Sequence, residues 1–222
     1  SLPHAKVLKI HTEEAEKLGA YTLTPEEVPD LKFCPRLVST PEATYKDWRV
    51  LAKKPLYVGE PIGAVAAETE EEAQVALEAL RVDYESLPAY FDDEEAKKPG
   101  AAQLHDAIEL KGTVINPERN IACTLDLREG DTEAAWKECD AVVERTYRTN
   151  RRYHVQLETK SVLVQPGIDG GISVWSTTQS IHNTRLLLHE IFGLSMGKIR
   201  IYKVPLGGSF GSSIQVNTIV PI

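Results

Sequence analysis

One succession of elements near the C-terminal end constrains this 222-residue chain more than any other. The strand pattern Ile172-Ser173-Val174-Trp175-Ser176 leads into the polar cap Ser176-Thr177-Thr178-Gln179. A helical stretch holding Leu186, Leu187, His189, Glu190 and Phe192 follows and stops at Gly193. The alternating segment Lys198-Ile199-Arg200-Ile201-Tyr202-Lys203-Val204 then runs into the loop Gly207-Gly208-Ser209-Phe210-Gly211-Ser212-Ser213. This order delivers a side-chain amide and a run of small, backbone-exposing residues to the ends of two strands, where a large polar ligand can be held.

The N-terminal half reads as a separate unit. Lys6-Val7-Leu8-Lys9-Ile10 is a strand pattern, and Thr12 to Gly19 has the threonine cap, early acids and terminal glycine of a short helix. A further helical turn fits Thr24-Pro25-Glu26-Glu27-Val28. Residues 29–54 follow no period, carry Pro35 and Pro41 as punctuation, and read as an extended loop region. Leu56-Tyr57-Val58 predicts a short strand ended by Gly59-Glu60-Pro61, and the apolar run Ile62 to Glu68 predicts a strand buried on both faces. Thr69 caps the next helix: Glu70, Glu71 and Glu72 sit at the positive end of its dipole, and Ala73, Leu77 and Leu80 recur at helical spacing. Arg81-Val82-Asp83-Tyr84 returns as a strand. Residues 1–105 thus form an α+β unit of ordinary domain size, and the polar stretch 106–120 is the expected linker.

The second unit, 121–222, opens on the N-capped helix Gly130 to Lys137. Ala141 to Thr149 alternates and predicts a long strand, Ser161-Val162-Leu163-Val164 another, and Pro166 to Gly171 is a turn cluster.

A formal net charge of −8 with no offsetting basic block argues against nucleic acid or an anionic membrane surface as partner. Cys34, Cys123 and Cys139 are odd in number and far apart, which indicates neither a disulfide framework nor a CxxC metal site, so a reducing cytoplasm fits. No apolar run approaches the roughly 20 residues needed to span a bilayer. The chain starts almost directly in a strand and stops inside an apolar segment, Gln215 to Ile222, so a fragment is expected.

The loop lacks the Gly-Lys-Ser/Thr ending of a phosphate loop and the GxGxxG spacing of a dinucleotide fold. A tight turn explains glycines alone, but Phe210 among them calls for something that covers its ring. Gln179 acts only if it points into a pocket, and otherwise is a solvated strand end. Glu158 reads as a surface residue and Glu60 as part of a turn. The histidines show no HxxxH or HxH spacing, and no Ser, His and Asp set has nucleophile-elbow context.

In order, Pro3-His4-Ala5, Tyr57 to Glu68, Glu129-Gly130-Asp131, His154 to Glu158, Trp175 to Gln179 and Gly207 to Gly211 resemble the molybdenum-binding subunit of the xanthine oxidase and aldehyde oxidase family. The resemblance runs over essentially the whole chain. It implies an α/β-hammerhead domain followed by the first part of a molybdopterin-binding α+β domain. It also implies hydroxylation of an aldehyde or N-heteroaromatic carbon with oxygen from water. The implied cofactor is molybdopterin, as a cytosine dinucleotide, with molybdenum; iron–sulfur clusters and FAD are expected on partner domains or subunits. Cofactor contacts carry over to Gln179, Gly208, Ser209, Phe210 and Gly211, with no catalytic residue and no protein ligand to the metal in this chain.

Departures from the family pattern are local. Ser209, Ser212 and Ser213 stand where the usual Gly-Gly-Gly-Phe-Gly-Gly-Lys loop has two glycines and the lysine, and Ile214 stands where purine-oxidising members place a glutamate. Glu158-Thr159-Lys160 replaces the usual Glu-Pro-His. The family's catalytic glutamate falls beyond Ile222, so no turnover is expected of this chain alone. Two other readings stay open from the residues: a non-catalytic assembly or binding module that keeps the fold, and an unrelated nucleotide-binding enzyme.

Overall fold

The computed structural model describes residues 2–35, 46–106, 108–110, 113–115, 120–121 and 126–214. Pro41, Cys123 and the apolar segment from Gln215 onward lie outside the described residues.

Strand β1 (Ala5–His11) pairs antiparallel with β4 (Arg81–Ser86), from Ala5 opposite Ser86 to His11 opposite Arg81, with one irregularity between Val7 and Lys9. Between them, α1 (Glu13–Lys17) and α2 (Glu70–Ala79) meet through the buried alanines Ala15, Ala20 and Ala76, whose small side chains allow close approach. Thr69 accepts from Glu72 N–H while the Glu72 carboxylate accepts from Thr69 N–H, the reciprocal capping box that its spacing announces. Thr12 caps α1 with no side-chain hydrogen bond, because its backbone is already helical. The α2 stripe also differs from expectation: Ala76 is buried, whereas Leu77 is exposed.

Three short predictions in this unit are corrected. Leu56-Tyr57-Val58 forms a bend and turn, since the Glu60 carboxylate captures Leu56 N–H at 2.6 Å and Gly59 takes φ +97°. Thr24 to Val28 is a hydrogen-bonded turn held by the Glu27 carboxylate on Thr24, not a helical turn. The run Ile62 to Glu68 yields only β3 (Ala64–Ala66), paired on one side with β2 (Tyr21–Leu23) and partly exposed. Among the described residues its pairing with β2 leaves one edge of β3 open, and none of its three residues is fully buried.

Within 29–54 the described residues, 29–35 and 46–54, are irregular apart from one isolated bridge, yet they supply the deepest packing among the described residues. Phe33, Val50 and Leu51 are buried together with Val174, Leu187, Leu188, Ile191 and Ile199 in one apolar core. Further along, α3 (Asp93–Ala96) is capped by the Asp92 carboxylate, and a hairpin of β5 (Ile108–Leu110) and β6 (Thr113–Ile115) lies within the stretch 106–120.

Helix α4 (Thr132–Glu138) is capped by Asp131, which accepts from Ala134 N–H at 2.9 Å. The predicted strand Ala141 to Thr149 is not one; it is exposed along its length. A strand exists by pairing, and among the described residues no strand pairs with it. The remaining sheet has the order β7 (Val162–Pro166), β8 (Ile172–Ser176), β9 (Ile199–Lys203). β7 and β8 are antiparallel; β8 and β9 are parallel and joined through α5 (Ile181–Phe192), which ends at Gly193 with φ +66°. Parallel pairing sets Ser176 beside Lys203, so the segments that follow β8 and β9 emerge at one edge of the sheet.

Candidate functional site

At that edge the strand cap and the glycine loop meet. Thr177 and Thr178 are buried, and each hydroxyl is used within the backbone framework: Thr177 Oγ1 donates to Ser161 O, and Thr178 Oγ1 accepts from Ser180 N–H at 3.0 Å. Thr184, fully buried on α5, donates its hydroxyl to Ser180 O at 3.0 Å. These contacts fix the turn on which Gln179 stands. Gln179 N–H then donates to Ser213 O at 3.0 Å, and Gln179 Oε1 accepts from the Ser209 hydroxyl.

The loop holds itself through its serines. Ser209 Oγ accepts from Ser213 N–H at 2.9 Å, Ser209 O accepts from Ser212 N–H at 2.9 Å, and Gly211 O accepts from Ile214 N–H at 3.1 Å. Gly208 at φ +107° and Gly211 at φ +96° adopt backbone that only glycine reaches without strain. Phe210 adopts φ +50°, uncommon for a residue with a side chain, and its ring is 79% exposed. The positive φ turns the ring out of the loop.

Residues 154–160 form the other wall. Gly207 N–H donates to the Glu158 carboxylate, and a methyl group built on Gly207 would lie 3.0 Å from Glu158 Cβ. Gln156 Cβ is 3.8 Å from the corresponding point on Gly208, and His154 Nε2 is 3.9 Å from that on Gly211. Lys160 Nζ donates to Ser212 O, and partial burial lowers its pKa from the ordinary lysine value. Gln156 Oε1 and Ser212 Oγ are buried with no hydrogen-bond partner among the described residues.

The structure therefore brings together Gln179, Gly208, Ser209, Phe210 and Gly211. It differs from expectation in one respect. Gln179 and Phe210 are both exposed, so the cap and loop form an open rim instead of enclosing the amide. Glu158 and Lys160, given no site role by the sequence reading, belong to the rim. Their position follows from pairing: β7 runs antiparallel to β8 with Val162 opposite Ser176, so residues before Val162 lie beside residues after Ser176. Glu60 stands elsewhere, in a cavity of about 230 Å³ that Asp47 and His105 also line. Among the described residues no group of three or more His, Cys, Asp or Glu is placed to hold a metal ion, and no helix is long and apolar enough to cross a membrane.

Residues 1–88 match the family model described as aldehyde oxidase and xanthine dehydrogenase, a/b hammerhead domain, and residues 114–222 match the molybdopterin cofactor-binding domain. The chain belongs to the molybdenum hydroxylase family. Among relatives, it is 33% identical over 217 residues to a probable xanthine dehydrogenase subunit of Bacillus subtilis, a match over 97% of this chain and 27% of that one. It is 31% identical over 159 residues to the nicotinate dehydrogenase large molybdopterin subunit of Eubacterium barkeri, covering 72% of this chain and 35% of its relative. The solved aldehyde oxidoreductase of Desulfovibrio desulfuricans superposes with a TM-score of 0.78 at 25% identity, over 98% of this chain and 24% of that one. The chain thus spans about a quarter to a third of the length of these relatives. The fold is accordingly the α/β-hammerhead domain followed by the first part of the α+β molybdopterin-binding domain of this family. The cofactor that domain family holds is molybdopterin, with molybdenum.

Proposed function

We propose that this chain is part of a molybdenum-dependent hydroxylase that oxidises an aldehyde or N-heteroaromatic carbon using oxygen from water, and that Gln179, Gly208, Ser209, Phe210 and Gly211 contact its cofactor. The observation that carries the reading is the Gln179 amide. Its oxygen is occupied by the Ser209 hydroxyl, which leaves the Nε2 hydrogens directed away as donors at the mouth of the glycine loop.

The residues present fit a pterin-borne metal. Glycines at 207, 208 and 211 keep side-chain bulk off the rim, and the partnerless Gln156 Oε1 and Ser212 Oγ are polar atoms that a bound group can satisfy. A buried polar atom left without a partner costs about 1–3 kcal/mol, so a ligand that pairs with them gains that much. When bound, the molybdenum cofactor supplies the two-electron oxidation chemistry. Gln179 presents an N–H donor that orients and polarises the group before it. Phe210, turned outward, offers an apolar face that excludes water on the substrate side.

In this reading the cofactor is the cytosine dinucleotide form, a glutamate base comes from polypeptide outside these residues, and iron–sulfur and FAD partners take the electrons. The exposed Cys139 thiol, held in no disulfide, favours a cytoplasmic location. The test is purification of the complete complex, metal and pterin analysis, and assay with aldehydes and N-heteroaromatics in oxygen-18 water. A complex that folds without molybdenum or pterin, or a product whose new oxygen comes from dioxygen, would overturn the proposal and leave a non-catalytic module.

A further inference from the structure

We infer that Ser209 is the positioning residue that decides which end of the Gln179 amide faces the cofactor; the inference rests on the functional reading above. A glutamine amide presents one acceptor and one donor on nearly the same shape, and its terminal torsion is broad and roughly two-fold, so an exposed amide turns over readily. Gln179 is exposed, and packing alone does not choose for it.

The choice is made by a hydrogen-bond relay with a built-in direction. Ser213 N–H is a backbone group and can only donate, and it donates to Ser209 Oγ at 2.9 Å. That bond fills one of the two lone pairs of the serine oxygen, and the hydroxyl proton is given onward to Gln179. The remaining partner is Gln179, and only Oε1 of that amide accepts. Nε2 is therefore turned away from the loop. Ser213 closes the ring from the other side, since its carbonyl accepts from Gln179 N–H at 3.0 Å. The main chain of Gln179 is thus tied to Ser213 and its side chain to Ser209, which is itself bonded to Ser213.

Burial makes the relay effective. Ser209 is 8% exposed and Ser213 is 4% exposed, so water competes poorly for the bond between them and for the serine end of the bond to Gln179. Without the Ser209 hydroxyl nothing on the loop distinguishes amide oxygen from amide nitrogen, and the cofactor would meet an acceptor in part of the molecules.

The test is a double-mutant cycle in the complete, cofactor-loaded complex: Ser209→Ala, Gln179→Ala, the pair together, and Ser209→Thr, which keeps a hydroxyl. The readouts are molybdenum and pterin content, kcat and KM separately, and the electron paramagnetic resonance signal of the partly reduced molybdenum centre. Ser209→Ala is expected to retain cofactor, to lower kcat about 10-fold with little change in KM, and to shift the resonance signal as Gln179→Ala does. In the Gln179→Ala background it should have no further effect, and Ser209→Thr, which restores a hydroxyl, should recover the resonance signal that Ser209→Ala shifts. An unchanged signal and kcat in Ser209→Ala, or an equal loss in both backgrounds, would overturn the inference. Should Ser209→Ala fail to assemble, a crystal structure of the parent complex decides. A Ser209 Oγ beyond about 3.5 Å of Gln179 Oε1, or one that faces Nε2, would overturn the role. A parent complex lacking molybdenum defeats the function itself, which is a different outcome from a loaded complex indifferent to Ser209.

Discussion

Phe33 and Trp48 exchange both backbone hydrogen bonds, at 2.8 and 3.1 Å, and so pinch an aperiodic stretch of chain into an isolated antiparallel bridge. The bridge seats the Phe33 ring, fully buried, in the core shared with α5 and the three-stranded sheet. A segment that looks like a connector from its pattern is therefore a wedge between the two halves.

Phe33→Ala should accordingly cost about 3–5 kcal/mol, the usual range for deleting a buried aromatic ring. Denaturant unfolding is the measurement. A loss below about 1 kcal/mol would show that the segment lies on the surface in solution.

The capping box predicts a smaller, local effect. Thr69→Ala should cost about 1 kcal/mol, and Glu72→Ala should cost less once Thr69 is already alanine, because the two bonds are reciprocal. Thermal melts of the two single variants and the pair test this; strictly additive losses would count against it.

Glu60 and Asp47 give a pH dependence whose sign can be worked out. Burial raises the Glu60 carboxyl pKa, opposed by the Leu56 N–H bond and reinforced by the Asp47 charge. Burial likewise raises Asp47, against the pull of His105. The folded state then binds protons more tightly than the unfolded one, whose ordinary values are 4.5 and 3.8. The stabilising contribution is full below those values and is lost as pH rises through the raised folded-state values. Glu60→Gln keeps an acceptor for Leu56 N–H and removes one titration. The stability of the parent relative to this variant should fall as pH rises above the ordinary carboxyl value of 4.5 and through the raised folded-state value; a constant or rising difference would contradict the burial argument.

Two glycines should respond unequally to alanine. Gly193 has φ +66° and open space around it, so Gly193→Ala bears only the left-handed backbone cost of about 1–2 kcal/mol. At Gly171 a methyl carbon would sit 2.6 Å from Lys198 O, where β8 and β9 begin side by side, so Gly171→Ala must separate the strands. Its unfolding midpoint should fall well below that of Gly193→Ala, and the reverse order would refute the close approach.

What sequence made legible was local. The Thr69 to Glu72 cap, the Asp131 cap, and the succession of β8, α5 and β9 need only near neighbours, and their residues announce them. Ala141 to Thr149 has the alternation of a strand and forms none, because no strand among the described residues pairs with it. Phe33, Val50 and Leu51 carry no period, so their burial follows only from what α5 lays over them. At the site, residue types and chain order placed Gln179 near the loop. The bond from Ser209 spans 30 positions, and the exposure of Gln179 and Phe210 depends on a three-dimensional rim no spacing rule describes.

Because β8 and β9 run the same way, two short stretches hang from one side of a frame whose packing lies beneath them. Substitutions there, such as the three serines of the loop, alter what the rim touches while leaving the buried contacts of Val174, Leu188 and Ile199 as they were. New reactivity can evolve on such a ledge without the whole chain having to learn to fold again.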